Sequence, residues 1–358
     1  MTPIHFPHLT QRWKIQTTRG LILLGLMLGV FLLLGLSLSQ GPVAIPLGDI
    51  WTTLWGGTPT QPEWRNIILQ FRLPKAITAM LAGGALATSG LQLQTLFRNP
   101  LAGPFVLGIS SGASLGVALV VLANQSLAHW VILAHWGNLG TVLAAWGGAS
   151  IVTLLVVLAA QVVRSATALL VLGLMLGYVT SALVSILLQM SSAQQMQQYV
   201  IWTFGSFGGV TWAQLPWLSA FIGLGMGIAY FLIAMLNPLL LGEAQAMGLG
   251  VNTAQVRLGV LLSSSLLSGV VTAFCGPIAF LGVVVPHICR RLLNTADLRW
   301  LLPGVTLCGA LLALWADWFA QTLVPQTVLP LNAMTALLGA PVVIWAILQI
   351  QRHPSPGG

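Results

Sequence analysis

From Gly20 to Leu38 the chain carries no charged residue, and that length crosses the hydrocarbon core of a bilayer as one helix of about 20 residues. The feature recurs along the chain. Apolar runs broken by Pro, Gly and polar clusters place spans near 20–39, 70–97, 105–123, 139–162, 167–190, 212–235, 258–275, 279–289, 301–321 and 331–350. The pattern predicts an all-α integral membrane protein of about ten transmembrane helices. A soluble fold is excluded, because 57% of the 358 residues are apolar and 5% are charged, against about 25% charged in soluble domains. The 39 glycines let helices approach closely, and the 14 tryptophans suit the headgroup level.

Arg12, Lys14 and Arg19 precede the first run, which exceeds the roughly 7 to 15 residues of a signal-peptide core and is followed by no A-x-A site. It reads as an uncleaved span entered from the cytoplasm, after a cytoplasmic segment 1–19. One transmembrane domain over 20–350 then ends in a cytoplasmic tail, 351–358. Alternation puts Arg12, Lys14, Arg19, Arg98, Arg164, Arg257, Arg290, Arg291, Arg299 and Arg352 inside and leaves Arg65, Arg72 and Lys75 outside, which satisfies the positive-inside rule. The eighth run is too short to cross as a helix, so a half-span bounded by Pro277 and Pro286 is expected. GPFVLG at 103–108 and GPIAFLG at 276–282 enter from opposite sides, which hints at an inverted repeat. GLMLG, at 25–29 and again at 173–177, reads as close helix contact.

The formal charge of +8 is scattered singly between apolar runs and forms no stripe for phosphates, so nucleic acid is not a partner. Cys275, Cys289 and Cys308 lie in apolar surroundings without CxxC spacing and read as packing residues. The histidines, His5, His8, His129, His135, His287 and His353, show no metal-ligand spacing; His129 and His135, beside Trp130 and Trp136, are either part of an interfacial segment or heme or metal contacts. No catalytic constellation emerges. Asp317 is essentially the only acid inside a span, with a helix-pairing or capping role set against a proton relay. Neither lysine, Lys14 or Lys75, belongs to a GxxxxGK[ST] loop, so any ATPase must be another polypeptide, which would hold ATP and Mg; no cofactor is expected here. The internal loop 239–257 mixes Glu243, Gln245, Asn252, Gln255 and Arg257 with small residues, and is expected to form a short helix pair that either caps the bundle or docks a soluble partner.

Taken together, FRLPKAITAMLAGGALATSGLQLQTLFRNPLAGPFVLGISSGASLG (71–116), LGEAQAMGLGVNTAQVR (241–257) and GPIAFLGVVVPHICRRL (276–292) resemble the FecCD-type permeases of ABC importers for iron-siderophores, heme and vitamin B12. The resemblance runs from PLGDI at 46–50 to LLGAP at 337–341. It implies a type II ABC importer permease fold in a bacterial inner membrane, with a second permease subunit, two cytoplasmic ATPases and a periplasmic binding protein as partners. It also implies that Leu241, Gly242, Glu243, Ala246, Gly248, Gly250 and Arg257 belong to a coupling element seated on the ATPase. Arg72, Lys75 and Gln321 match positions that dock the binding protein, and Asn99, Leu101, Ser165 and Thr167 match an inner gate, with ordinary loop capping as the alternative for these four. The chain departs from the family at ADWFAQ (316–321) and VLPLN (328–332), where Gln321 and Val328 stand in place of an arginine and a glutamate. That puts contact to one lobe of the binding protein in doubt and makes a heterodimer plausible.

The sequence therefore predicts a permease subunit that alternates between outward-open and inward-open states as its ATPases cycle. Within the family an iron(III)-siderophore is the expected cargo on base rate, ahead of heme, cobalamin or an oxyanion. A stand-alone secondary carrier or channel is the rival from another class.

Overall fold

The computed structural model describes every residue except 1–6, 42, 123–136, 164, 325–326 and 353–358. The loop with His129 and His135 and the cation Arg164 lie outside the described residues, as do the side chains of Arg12, Lys14 and Arg352. Among the described residues there is no strand. The helices are α1 (Pro7–Ser39), α2 (Leu47–Leu54), α3 (Pro62–Asn66), α4 (Leu73–Leu96), α5 (Ile109–Val121), α6 (Gly137–Val162), α7 (Ala166–Gln189) and α8 (Ala193–Thr203). They continue with α9 (Leu215–Phe231), α10 (Ile233–Leu239), α11 (Glu243–Gly248), α12 (Thr253–Cys275), α13 (Leu281–Leu293), α14 (Leu298–Thr322) and α15 (Leu331–Arg352).

Each of the ten apolar runs is occupied by helix. Among the described residues six helical segments are long and apolar enough to cross a membrane, and α9 with α10, bent by 53° around Leu232, makes a seventh. The helices α5 and α13 have 13 residues each, about 20 Å at 1.5 Å per residue, so neither crosses by itself. The short eighth run is α13, packed on α4, α14 and α15, which is how a half-span keeps its ends out of lipid. Helix α1 starts at Pro7, ahead of the expected 20, and α8 was not expected at all.

Between α3 and α4 the backbone widens into a π-helical turn, Ile67–Arg72, just before Pro74. A proline inside a helix removes one i→i−4 bond and crowds the carbonyl four residues back, and the wider turn absorbs that conflict.

Small residues set the closest helix crossings. A methyl group added at Gly83 of α4 would sit 2.2 Å from the Gly309 carbonyl oxygen of α14, and one at Gly148 of α6 would sit 2.1 Å from that of Gly112 of α5. The GLMLG reading holds at 173–177, where Gly173 and Gly177 lie against Gly108; in the 25–29 copy, Gly29 meets only the Leu311 side chain and Gly25 meets nothing.

The hint of an inverted repeat becomes a packing pattern. Helix α4 packs on α14 as α12 packs on α6, α4 packs on α13 as α12 packs on α5, and α5 packs on α6 and α7 as α13 packs on α14 and α15. The two sets of four, α4–α7 and α12–α15, thus exchange their first helices. Their sense is opposite: Ser206 donates its N–H to the Cys275 carbonyl at the end of α12, and Gly208 lies beside the Lys75 chain at the start of α4.

Candidate functional site: a glycine-closed knob, a turn-bearing face and a clasped ion pair

At one face, α10 ends at Leu239 and the chain turns through Gly242, at φ +123°, into α11. Ala246 is fully buried and roots this short helix. Its end is closed by two bonds, Val251 N–H to Ala246 O at 3.0 Å and Gly250 N–H to Met247 O at 2.9 Å, with Gly250 at φ +84°. This is the Schellman arrangement, and it requires a left-handed residue at position 250. Asn252 then caps α12 by accepting from the Gln255 N–H at 3.2 Å. Loop 239–257 therefore holds one short helix between the end of α10 and the start of α12, where a pair was expected, because Asn252 starts α12 early.

The knob exposes Leu241, Met247 and Leu249, which are 62%, 56% and 66% exposed. Glu243 and Arg257 hold it from beneath, with 3.5 Å between their charged groups, and Arg257 also donates to the Val163 carbonyl at the end of α6 at 3.1 Å. Asn237 clasps the same element to α14, donating to Asp297 Oδ1 and accepting from the Leu298 N–H, each at 2.9 Å. Of the expected coupling residues, Leu241, Gly248 and Gly250 are exposed, Gly242 and Ala246 are buried, and Glu243 and Arg257 pair with each other.

The expected gate residues lie in turns. Asn99 Oδ1 accepts from the Leu101 N–H at 2.9 Å, and Leu101 is 40% exposed. Ser165 caps α7 by accepting from the Ala168 N–H at 3.3 Å, and Thr167 is exposed in its first turn. Among the described residues no hydrogen bond joins the two turns. Gln94 steadies the first: its carbonyl accepts from Asn99, its Oε1 accepts from Arg290 at 2.6 Å, and its amide donates to Val283 O at 3.1 Å.

At the opposite face the expected docking residues are engaged within the chain. Lys75 Nζ lies 2.9 Å from Asp317 Oδ1, in a pair whose side chains are 19% and 5% exposed. Gln321 donates to Asp317 Oδ2 at 2.7 Å. Arg72 donates to Leu38 O at 2.6 Å and also to Val43 O, so it pins the chain that leaves α1. Asp317 thus pairs helices α4 and α14, the structural role expected of it, and Gln321 completes its carboxylate.

Residues 25–349 match the FecCD transport family. The chain belongs to that family. It is 39% identical over 333 residues to the hemin transport system permease protein HmuU of Yersinia pestis, covering 93% of this chain and 98% of that protein. It is 37% identical over 345 residues to the vitamin B12 import system permease protein BtuC of Shigella boydii serotype 18, covering 96% of this chain and 99% of that one. Among solved structures, one described as an inward-facing conformation of a metal-chelate type ABC transporter superposes with a TM-score of 0.79 at 30% identity, covering 92% of this chain and 99% of that one. As a FecCD chain it is a multi-span transport permease subunit and not itself an enzyme; ATP hydrolysis belongs to a separate partner.

Sequence reading of this FecCD chain missed the α8 helix and the link from Lys75 to Asp317. The first had a local signal, since Ser192 and Gln195 form a capping box. The second had none, because the partners come from helices far apart in sequence.

Proposed function

We propose that this chain is the permease subunit of an ATP-driven importer that moves a metal chelate across a bacterial inner membrane by alternating access, with both termini cytoplasmic. The observation that carries the reading is the knob at 239–257: three large apolar side chains held out from a membrane protein on a clasped, glycine-closed turn suit a groove on a soluble partner. A stand-alone carrier has no use for such an element. The partners are two ATPases at the knob, a second permease subunit, which the departures at Gln321 and Val328 allow to be a different chain, and a periplasmic binding protein at the face of Arg72, Lys75 and Gln321. The turns at Asn99–Leu101 and Ser165–Thr167 serve as the inner gate.

The relatives' names favour a metal macrocycle, hemin or vitamin B12, over the iron(III)-siderophore expected from the family alone. The test is uptake of hemin, cobalamin and a ferric siderophore into vesicles holding the permease with its ATPase and binding protein. ATP-dependent uptake of one chelate is the expected result. Uptake that persists without ATPase, or none of any chelate, overturns the reading.

A further inference from the structure

A helix that stops on a left-handed residue does so with least strain on glycine, or on asparagine, because any larger side chain crowds the neighbouring backbone. Gly205 after α8, Gly250 after α11 and Asn294 after α13 follow that rule, at φ +71°, +84° and +44°. Helix α4 does not. Its end is closed by Asn99 N–H to Gln94 O at 3.2 Å and Arg98 N–H to Thr95 O at 3.4 Å, the same Schellman arrangement as in the knob, but with Arg98 at φ +47° in the glycine position. Among the described residues the other non-glycines at positive φ are Phe280 and Asn294, so Arg98 is the one that carries a charge. Its side chain leads to the knob. Helix α10 packs on α4, and a methyl group added at Gly242 would sit 3.6 Å from Arg98 Nη1, so the guanidinium lies over the backbone between α10 and α11. Its carbonyl carbon, in turn, is bonded to Asn99, where the turn to Leu101 begins. One residue thus meets the knob with its side chain and the Asn99–Leu101 turn with its backbone.

We infer that Arg98 is a positioning residue that carries displacement of the knob to the inner-gate turn, its guanidinium bearing on Gly242 and its left-handed backbone setting where Asn99–Leu101 begins. The inference rests on the proposed function and deepens it by naming the link between coupling element and gate. Two features give the link its direction. The body of α4 is anchored, by Gly83 against Gly309 and by Gln94 between Arg290 and Val283, so motion arriving at its end is confined to the turn that follows. A non-glycine residue stays left-handed only while its surroundings hold it there. Movement of the knob away from the guanidinium removes that hold, and a change of φ and ψ at Arg98 swings the turn after it, as at a hinge.

The experiment uses the permease with its ATPases in nanodiscs and Leu101→Cys as reporter; Leu101 is 40% exposed, whereas Cys275, Cys289 and Cys308 are buried. The rate of maleimide labelling at position 101 is measured with and without a non-hydrolysable ATP analogue. With Arg98 in place, nucleotide should change the rate by about 5-fold or more. Arg98→Gly and Arg98→Asn both suit the left-handed turn but are too short to reach Gly242. In each the nucleotide effect should shrink to within about 2-fold, while the ATPases still co-purify and the thermal midpoint does not fall. A larger nucleotide effect in either variant overturns the link, and so does loss of the ATPases or a lower midpoint, since these make Arg98 part of the docking surface or of the helix end. An Arg98 protein that binds its ATPases but labels alike with and without nucleotide overturns the gate assignment and the link with it. An Arg98 protein that binds no ATPase overturns the proposed function itself.

Discussion

Helices α4 and α7 are both apolar and of nearly equal length, yet the bundle treats them oppositely. In the span that contains α4, 83% of the most apolar stretch is buried in protein, against 22% in α7. Ala, Gly, Ser, Thr and Gln make up 14 of the 24 residues of the buried helix against 10 of 24 in the exposed one, which carries eight Leu to six and three Val to none. Apolarity therefore does not decide what sits at the centre of a membrane protein, because lipid is as apolar as leucine. What decides is side-chain size, which sets how near two backbones come, and hydrogen bonding, which lipid cannot supply. Helix α4 meets both demands: Gly83 touches Gly309, Ser89 and Gln92 bond the serines of α12, and Lys75 holds Asp317. Helix α7 leaves Val171, Tyr178, Val179 and Ile186 facing outward, toward lipid or a second subunit.

The largest expected contrast comes from the ion pair. Lys75→Met leaves Asp317 buried without its cation and should destabilise the detergent-solubilised protein by about 3 kcal/mol or more, whereas Lys75→Met with Asp317→Leu should recover most of that loss. Asp317→Asn should cost less, since Lys75 is the more exposed partner and can reach water. A thermal unfolding midpoint unmoved by Lys75→Met would show that the pair does not fasten α4 to α14.

Next is the glycine crossing. Gly83→Leu forces a side chain into the Gly309 backbone, which has no flexible end to yield, and should cost about 1 to 3 kcal/mol or prevent folding. Recovery of monodisperse protein after extraction measures it, and a wild-type yield and midpoint would remove the close approach from the argument.

The knob should respond in function more than in stability. Gly250→Val places a branched residue at φ +84° and should cost about 1 to 2 kcal/mol locally, opening the turn that presents Met247 and Leu249. ATPase association, read by co-purification, should fall while the transmembrane bundle keeps its melting midpoint. Retained association would assign the knob a capping role.

The smallest effect is expected on the exposed side of α7. Ile186→Ala, at a residue 58% exposed, should leave the isolated subunit within about 0.5 kcal/mol of wild type. A larger loss would mean that α7 belongs to the core, and a loss confined to the dimer would locate the second subunit.

Composition and the spacing of apolar runs were enough to determine the class of fold and the ten helical segments, because the bilayer imposes one length and one hydrogen-bonding rule on every span. The loop at 239–257 was also legible, since glycines and polar residues stand out against runs of leucine, and its six-residue helix depends on bonds made within that segment. Even the paired GP strings carried their message about repeated architecture, although only the exchange of α4 and α12 between the two sets made it a packing fact. The tertiary structure alone decided which apolar helices are core and that Lys75, Asp317 and Gln321 are one cluster. The reason is physical. Backbone and periodicity rules act over a few residues, whereas a carboxylate at the end of α14 finds its cation at the start of α4 only after the glycines between them have brought the two helices together.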